Sequence, residues 1–355
     1  MSGLPSGVLV AIFVAAAAAV WIAGVRLSAA TDVLSTRLGW GEALGGLVLL
    51  AIATNLPEIA ITASAALAHD LGIAIGNILG GIAIQTVVLV VLDVVGVRGE
   101  RPLTYRAASL TIVLECALVI AILVVVVAAT RLPADLIVAR VAPGGLLIAV
   151  LWGLGLLLLR RASNGLPWHE AGEAPDNQEP PRGHSKIRTE KEATERSVST
   201  VRAAVTFAVA ALVTLVAGIV LERSGEVISA RIGLSGVLFG ATVLAAATAL
   251  PEISTGLASV RMGDYQLAMS DIFGGNAFLP VLFLVASILS GSAVLPQAQD
   301  TDVYLTALGA LLTAIYLVGL IFRPTRRFAR MGVDSLAVLV VYLLGLAGLF
   351  AIAAH

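Results

Sequence analysis

Charged residues are scarce in this chain of 355 residues. Asp, Glu, Lys and Arg together make up 13% of it, whereas hydrophobic residues make up 59%, and the mean hydropathy is +0.99. A typical soluble domain has about 25% charged residues. The scarcity of charge excludes an ordinary soluble domain and predicts an integral membrane protein, whose main partner is the lipid bilayer.

Residues and motifs that carry other common chemistries are also missing. Cys116 is the single cysteine, so no disulfide framework is possible. His169 and His184 have no His or Cys partner at metal-ligand spacing. No GxGxxG or GxxxxGK[ST] string occurs, and a net charge of −1 gives no indication of nucleic-acid binding. We therefore expect no bound cofactor, no nucleic acid and no obligate protein partner.

Ten stretches are apolar and long enough to cross a bilayer, which takes about 20 residues in a helix. Short breaks rich in Gly, Pro, Asp and Arg separate them, as expected for turns. The predicted fold class is an all-α integral membrane protein with ten transmembrane helices. The predicted spans are residues 6–27, 43–68, 72–96, 107–130, 142–160, 201–221, 235–260, 264–290, 302–322 and 334–353.

One long polar segment divides the ten spans into two sets of five. Residues 161–200 combine several prolines with mixed charges and no apolar period, which predicts a mostly disordered linker. The predicted organisation is a first repeat over residues 1–160, the linker, and a second repeat over residues 201–355. Because each set has an odd number of spans, the second enters the membrane in the opposite orientation. Inverted-topology repeats of this kind are typical of secondary transporters.

The distribution of basic residues predicts the orientation of the chain. The side of the membrane that receives more Arg and Lys is cytoplasmic by the positive-inside rule. Both termini then lie outside, the linker is cytoplasmic, and the location is the cell (plasma) membrane. No Lys or Arg precedes Arg26, so we interpret the first apolar run as a retained helix rather than a signal peptide. The poorer side receives only Arg131, Arg140, Arg223 and Arg231.

One apolar string of nine residues occurs twice, in the second and the seventh predicted span. Residues 51–59 have the sequence Ala-Ile-Ala-Thr-Asn-Leu-Pro-Glu-Ile, and residues 245–253 have Ala-Ala-Ala-Thr-Ala-Leu-Pro-Glu-Ile, 194 positions later. Each copy places a carboxylate, Glu58 or Glu252, where an apolar helix crosses the bilayer. An ionisable residue at that depth costs at least ~2.5 kcal/mol on insertion scales and indicates a functional site.

The two motifs can supply oxygen atoms to one point. Thr54 and Glu58 are four residues apart and share a helix face, and Thr248 and Glu252 repeat the spacing. The proline between them has no N–H, so each helix must bend and free backbone carbonyls. Such a set of hard oxygens with charge −2 suits a divalent cation, and Ca²⁺ tolerates irregular geometry better than Mg²⁺. The structural alternative is a pair of proline-kinked helices whose glutamates are protonated or paired elsewhere.

A second polar string follows each motif. Residues 76–81 open the third span, and residues 270–276 take the matching place in the eighth, so that Asn77 aligns with Asp271. Glycines in both strings allow a close approach to the bent helices, for which packing alone is a sufficient explanation. We expect Asn77, Asp271 and Asn276 to line the cation pathway.

With these strings the chain resembles the sodium/calcium exchanger family, within the wider cation/calcium exchanger superfamily. The resemblance covers both conserved repeats of that family, about residues 45–96 and 235–290. It implies that Glu58 and Glu252 are the central Ca²⁺ ligands and that Thr54 and Thr248 add backbone or hydroxyl oxygens. It also implies alternating access, in which the first and sixth spans slide past the motif helices.

The chain departs from the family's usual pattern at several positions. The family's Gly-Thr-Ser is replaced by Ala-Thr-Asn at residues 53–55 and Ala-Thr-Ala at residues 247–249, and its further Asn or Asp falls on Gln85 and Leu279. The replaced side chains would help to hold Na⁺, and Asn55 resembles the cation/proton branch. Na⁺ and H⁺ both stay open as coupling ions. The predicted site residues are Glu58, Glu252, Thr54, Thr248, Asn55, Asn77, Asp271 and Asn276.

The predicted function is a secondary active antiporter, not an enzyme, that exchanges Ca²⁺ for Na⁺ or H⁺. The alternative within transport is proton-coupled exchange of K⁺ or another monovalent cation. An intramembrane hydrolase is unsupported, because no Ser/His pair, HExxH or GxGD string occurs, and a channel would need a pore-lining ring or filter. Two acids lie outside the motifs. We expect Glu115 to bond to a neighbouring helix or to belong to a proton path, and Asp93 to face a membrane interface.

Overall fold

The structure, a computed structural model, describes residues 1, 3–38, 52–163, 199–234 and 236–353. Most of these residues are helical because long apolar segments satisfy their backbone hydrogen bonds internally, as a membrane requires. The helices are α1 (Ser6–Leu38), α2 (Leu56–Leu67), α3 (Leu71–Val91), α4 (Leu103–Ala107), α5 (Leu110–Ala129), α6 (Pro143–Ser163), α7 (Thr200–Ile232), α8 (Gly236–Phe239), α9 (Ala245–Thr248), α10 (Leu250–Met262), α11 (Tyr265–Phe278), α12 (Leu282–Ser290), α13 (Asp300–Phe322) and α14 (Val333–Ala353).

Short irregular helices and one hairpin connect these elements. The π-helix Leu92–Gly96 continues α3, and the π-helix Gly240–Leu244 joins α8 to α9. A 3₁₀ turn at Leu279–Val281 joins α11 to α12, and another at Leu295–Gln297 precedes α13. Strands β1 (Arg327–Phe328) and β2 (Met331–Gly332) pair antiparallel, with Arg327 opposite Gly332, before α14 begins.

Nine candidate spans occur among the described residues. Eight helices are long and apolar enough to cross a membrane, and a bent pair of helices adds a ninth. They coincide within a few residues with nine of the predicted spans, although α1 and α7 run on to Leu38 and Ile232. Residues 43–51 of the second predicted span lie outside the described residues, and its remainder is the short apolar helix α2. The multi-span helical fold is confirmed. The count of ten stays a prediction, and most of the linker, residues 164–198, is likewise outside the described part.

The helices that follow the two motif helices begin at matching residues in the two halves. Asp70 caps α3 by accepting a hydrogen bond from the N–H of Ile73 at 3.3 Å. Asp264, 194 positions later, caps α11 in the same way, by accepting from the N–H of Leu267 at 3.0 Å. An aspartate at this position satisfies an N–H that the first helical turn leaves unbonded.

Prolines break both motif helices where the sequence predicts a bend. Pro57 and Pro251 lie in the first turn of α2 and α10, the one part of a helix where the missing N–H costs nothing. The residue before each helix, Asn55 or Ala249, leaves helical geometry, with ψ of 15° and 0°. The segments Gly240–Thr248 and Leu250–Arg261 meet at 47°. The bend in the second motif is therefore confirmed.

Helices of the two halves pack in matching pairs. The long helices α1 and α7, each of 33 residues, pack against each other. Helix α2 packs against α7 and α12, while α10 packs against α1 and the π-helix that ends α3. Helix α3 packs against α13, and α11 packs against α5. The core thus surrounds the two motif helices.

Two glycines bring the long helices against the motif prolines. A Cβ atom added to Gly24 in α1 would lie 2.7 Å from Cβ of Pro251. A Cβ atom added to Gly218 in α7 would lie 3.2 Å from the carbonyl oxygen of Pro57. Gly24 and Gly218 are themselves 194 positions apart. The contact between a long helix and the opposite motif is therefore made twice, each time without a side chain on the long helix.

Asp93 in the π-helix is fully buried rather than at a membrane interface, so that prediction is wrong. Its carboxylate accepts hydrogen bonds from the N–H of Leu103 at 2.9 Å, the N–H of Gly332 at 2.7 Å and the hydroxyl of Ser335 at 2.9 Å. Arg327 lies 3.7 Å from the same carboxylate. The charge is tolerated because donors from three separate segments surround it.

Candidate cation site

The two motif glutamates lie in the first turns of α2 and α10, directly after the helix breaks. Glu58 is 0% exposed and Glu252 is 2% exposed. None of their four carboxylate oxygens receives a hydrogen bond from a residue that the structure describes. A buried carboxylate in this state costs several kcal/mol if charged, so it requires a cation or a proton. Its place at a helix N-terminus offsets only part of that cost.

The site brings together residues from both halves of the chain. Glu252 experiences the charges of both Glu58 and Asp271, so each of these two carboxylates is a neighbour of Glu252. The hydroxyl of Thr248 lies close to the Glu58 carboxylate and donates to the carbonyl oxygen of Ala245 at 3.1 Å. Residues of the two motifs are therefore neighbours in the structure.

Asp271 is attached to the second motif by a threonine that the sequence analysis missed. The Thr255 hydroxyl lies 3.2 Å from a carboxylate oxygen of Asp271 and 3.3 Å from the backbone carbonyl oxygen of Glu252. Thr255 follows Glu252 by three residues and so shares its helix face, which is the signal that could have identified it. The matching residue of the first half is Ile61, which forms no such link.

A pair of amides lies across the first motif. The Gln85 side-chain nitrogen donates to the side-chain oxygen of Asn55 at 3.2 Å, and both residues are 1% exposed. A Cβ atom on Gly275 would lie 3.0 Å from the amide nitrogen of Asn55 and 3.4 Å from the amide oxygen of Gln85. The glycine of the second polar string is thus needed for the close approach of α11 to this pair.

Asn276 and Thr86 form the next polar contact between the two halves. The side-chain nitrogen of Asn276 donates to the Thr86 hydroxyl at 3.0 Å, and that hydroxyl donates to the carbonyl oxygen of Ile82 at 2.8 Å. The side-chain oxygen of Asn276 receives no hydrogen bond from the described residues. Thr86 was not predicted, because its partner lies 190 residues away in the chain.

The remaining predicted residues, Thr54 and Asn77, are also buried. Thr54 is 3% exposed at the break before α2. Asn77 is fully buried, and its amide has no hydrogen-bond partner among the described residues. Gly80, one turn further along α3, has no room for a side chain because a Cβ atom there would overlap the backbone of Ala241 in the π-helix. A Cβ atom on Gly240 would lie 3.1 Å from the backbone nitrogen of Asn77.

Glu115 makes the contact with a neighbouring helix that the sequence analysis expects. It is 2% exposed in α5, and one of its carboxylate oxygens accepts a hydrogen bond from the Ser270 hydroxyl at 3.1 Å. Ser270 directly precedes Asp271 in α11. Glu115 therefore lies beside the segment that carries a predicted site residue, although it belongs to neither motif.

Together these residues form a buried site made of oxygen donors. It contains Glu252 with the neighbouring carboxylates of Glu58 and Asp271, a threonine hydroxyl and several amides, and no Cys or His is among them. Among the described residues, no three or more His, Cys, Asp or Glu are grouped so that they could hold a metal ion by themselves. Oxygen ligands of this kind suit hard cations and protons rather than soft metals.

Comparison with known proteins identifies the family. A sequence model described as "Sodium/calcium exchanger protein" matches residues 8–161 and 202–351, which is most of the chain on both sides of the linker. The chain belongs to the sodium/calcium exchanger family. It is therefore a membrane transporter of the cation-antiporter type rather than an enzyme, and the resemblance noted in its motifs is confirmed.

Individual relatives are similar over most of their length. "Inner membrane protein YrbG" of Escherichia coli (strain K12) is 25% identical over 296 residues, covering 82% of this chain and 82% of that protein. "Putative antiporter CaxA" of Alkalimonas amylolytica is 28% identical over 287 residues, covering 80% and 81%. The match to an inner-membrane protein agrees with a multi-pass membrane protein.

Solved structures share the fold. The H⁺/Ca²⁺ exchanger CAX superimposes with a TM-score of 0.69 at 13% identity, covering 98% of this chain and 86% of that one. The sodium-calcium exchanger NCX_Mj superimposes with a TM-score of 0.58 at 16% identity, covering 97% and 99%. At these identities the likeness concerns the fold alone.

Proposed function

We propose that this chain is a secondary active antiporter that exchanges Ca²⁺ for protons at a site centred on Glu58 and Glu252. The observation that carries the proposal is the pair of buried motif carboxylates without hydrogen bonds from the described residues. Each uncompensated charge costs several kcal/mol, so the site requires positive charge. One Ca²⁺ or two protons neutralise the pair equally, and binding of one then requires release of the other.

Ca²⁺ suits the donors better than other divalent cations. The two glutamates and the neighbouring Asp271 offer carboxylate oxygens, and we propose that Thr54 and Thr248 add hydroxyl or carbonyl oxygens. Mg²⁺ demands a stricter octahedron, and softer metals prefer nitrogen or sulfur. The structural relatives described as Ca²⁺ exchangers support the same cation.

The asparagines have a supporting role in this proposal. Asn55 and Asn276 are held by Gln85 and Thr86, so we assign them to the walls of the cation pathway together with Asn77. Because the amides of Asn55 and Gln85 bond to each other, the Asn55 oxygen has a competing donor and is a poor ligand for Na⁺. This favours H⁺ over Na⁺ as the coupling ion.

We also propose that residues 1–160 and 201–355 are inverted-topology repeats joined by a cytoplasmic linker, with ten spans and both termini outside the plasma membrane. The matching pairs of packed helices and the shift of 194 positions between equivalent residues support this arrangement. Ion sites between such repeats are opened to alternate sides by rocking or sliding of one bundle against the other. The contacts of Gly24 and Gly218 with the motif prolines support sliding of α1 and α7.

The test is uptake of radiolabelled Ca²⁺ into proteoliposomes that contain the full chain, under an imposed H⁺ gradient or an imposed Na⁺ gradient. We expect uptake with the H⁺ gradient and none with the Na⁺ gradient alone. Glu58→Gln and Glu252→Gln should each abolish it, because either substitution removes half of the charge of the two motif glutamates. Glu222→Gln is the matched control, since Glu222 is a buried acid of α7 that accepts from Ser64 at 3.0 Å, outside both motifs.

Each other result has a definite meaning. Ca²⁺ uptake driven only by the Na⁺ gradient would show that the coupling ion is Na⁺ and not H⁺. If the folded protein takes up no Ca²⁺ but shows proton-driven K⁺ uptake, the function is proton-coupled exchange of a monovalent cation. Uptake that persists in both motif variants would show that the doubled motif is not the site.

A further inference from the structure

Glu115 is a buried acid that the proposed two-carboxylate exchange does not use. One carboxylate oxygen accepts from the Ser270 hydroxyl at 3.1 Å, and the other has no hydrogen-bond partner among the described residues. The side chain is 2% exposed. A carboxylate with one neutral donor in an apolar helix pair is poorly compensated, so a proton is its simplest partner.

Glu115 is bonded to the part of α11 that carries Asp271. Ser270, the residue before Asp271, donates to Glu115. The Thr255 hydroxyl lies within hydrogen-bond distance of the Asp271 carboxylate and of the backbone carbonyl oxygen of Glu252, and Glu252 experiences the charge of Asp271. Glu115 therefore contacts the residue next to a carboxylate that neighbours Glu252.

The depth of Glu115 places it between the motif and one face of the membrane. Arg106, just before α5, donates to the Tyr265 hydroxyl at 3.1 Å, so α5 and α11 begin at the same face. At 1.5 Å per residue, Glu115 and Ser270 lie about 8 Å along their helices from that end, whereas Glu252 lies about 15 Å from the same end of α10. Glu115 is therefore nearer to water than the central glutamate.

The polar contacts between Glu252 and Glu115 exist in one half of the molecule only. At the shift of 194, Thr255, Ser270 and Asp271 correspond to Ile61, Gly76 and Asn77. None of these three residues of the first half has a hydroxyl or a carboxyl group. Helix α13, the counterpart of α5, has acids only in its first turn. Packing requirements that are common to both halves therefore do not explain why α5 carries a buried acid at position 115.

The other titratable groups near Glu115 lie on α5 itself and on the helices packed against it. The adjacent thiol of Cys116 is buried and experiences the charge of Glu115. On α11 the nearest acid is Asp271. Among the described residues, the hydrogen-bond partner of the Glu115 carboxylate is the Ser270 hydroxyl. The titratable groups of α6 and α13 are Arg160, Arg161, Asp300, Asp302, Tyr304 and Tyr316.

We propose that Glu115 is a third proton-binding carboxyl of the exchange cycle, coupled to the cation site through Ser270 and Asp271. The proposal rests on the proposed Ca²⁺/H⁺ exchange. When Ca²⁺ arrives, the O–H bond of the Glu115 carboxyl breaks, the electron pair stays on the carboxylate beside the Ser270 hydroxyl, and the proton leaves to water. When Ca²⁺ departs, a proton from water restores the O–H bond, so no oxidant or reductant is involved.

The test counts protons released per Ca²⁺ bound, using the purified full chain in weakly buffered detergent with a pH indicator and radiolabelled Ca²⁺. By linkage, Glu115→Gln should lower that count by roughly one proton while Ca²⁺ still binds. Ser270→Ala, which removes the hydroxyl but keeps the carboxyl, should lower it as well. Ser287→Ala is the matched control, because this buried serine of α12 bonds only to backbone groups of Phe283 and Val294 in the described structure.

A purely structural role for Glu115 would leave the proton count unchanged, and an unchanged count in Glu115→Gln overturns the proposal. If that variant does not fold, the number of protons released per Ca²⁺ by Ser270→Ala is used instead, and an unchanged number overturns the proposal. Absence of Ca²⁺ binding to the wild type is a different failure, because it overturns the proposed exchange and this inference together.

Discussion

Replacing Glu252 with glutamine should make the protein insensitive to Ca²⁺ without making it less stable. Glutamine keeps the size of the side chain but removes the charge. Because the Glu252 carboxylate receives no hydrogen bond from the described residues, the substitution breaks no side-chain hydrogen bond among them. It removes a buried charge whose cost only a cation or a proton offsets. We therefore expect the variant without Ca²⁺ to unfold at the same temperature as the wild type or higher.

The expected loss of affinity follows from the same burial. Truncating one partner of a buried charge pair costs about 2–5 kcal/mol, and a value near 2.7 kcal/mol weakens Ca²⁺ binding about 100-fold. At a Ca²⁺ concentration of 100 Kd, the wild type gains about 2.7 kcal/mol, whereas the variant gains about 0.4 kcal/mol. At 2–4 °C per kcal/mol, the Ca²⁺-induced rise in Tm falls from roughly 5–11 °C to roughly 1–2 °C.

The assay is thermal unfolding of purified protein in detergent over a Ca²⁺ titration. Glu58→Gln should behave like Glu252→Gln, because the two residues occupy equivalent places. Glu222→Gln should keep the wild-type response, since a glutamine oxygen can still accept from Ser64. A full Ca²⁺-induced rise in both motif variants would refute the assignment of these carboxylates as the site.

Two further predictions concern packing and stability. Gly24→Val should slow transport several-fold without loss of Ca²⁺ binding, because its Cβ would crowd Pro251 at 2.7 Å and overpacking costs about 1–3 kcal/mol. Gly153→Val, with no atom within 4 Å of the added Cβ, is its control in the uptake assay, and equal rates would exclude this contact from the moving interface. Asp93→Ala should destabilise by about 3–5 kcal/mol in thermal unfolding because its buried donors lose their acceptor. The exposed Asp135→Ala should change little, and a similar effect of both would contradict the burial argument.

Local patterns in the sequence predict much of the fold and the centre of the site. Apolar runs identify membrane spans because, in lipid, the backbone N–H and C=O groups of such a run must bond to each other within a helix. The doubled motif identifies Glu58 and Glu252 as candidate site residues, because burying a carboxylate in a membrane costs free energy and such residues usually have a functional role. Pro251 predicts a bend, which measures 47° in the structure, because its missing N–H is a local property.

The contacts around the centre depend on the tertiary structure. Ser270 meets Glu115 across 155 residues, and Asn276 meets Thr86 across 190. Such pairs depend on the depth and rotation of each helix about its axis, which apolar runs with weak amphipathic character leave undetermined. The burial of Asp93 likewise depends on donors from distant segments. The sequence by itself therefore determined the membrane fold class and the two carboxylates at the centre of the proposed site. Only the packing of the helices decided which polar groups surround these carboxylates, because a side-chain hydrogen bond requires positions accurate to a fraction of an ångström.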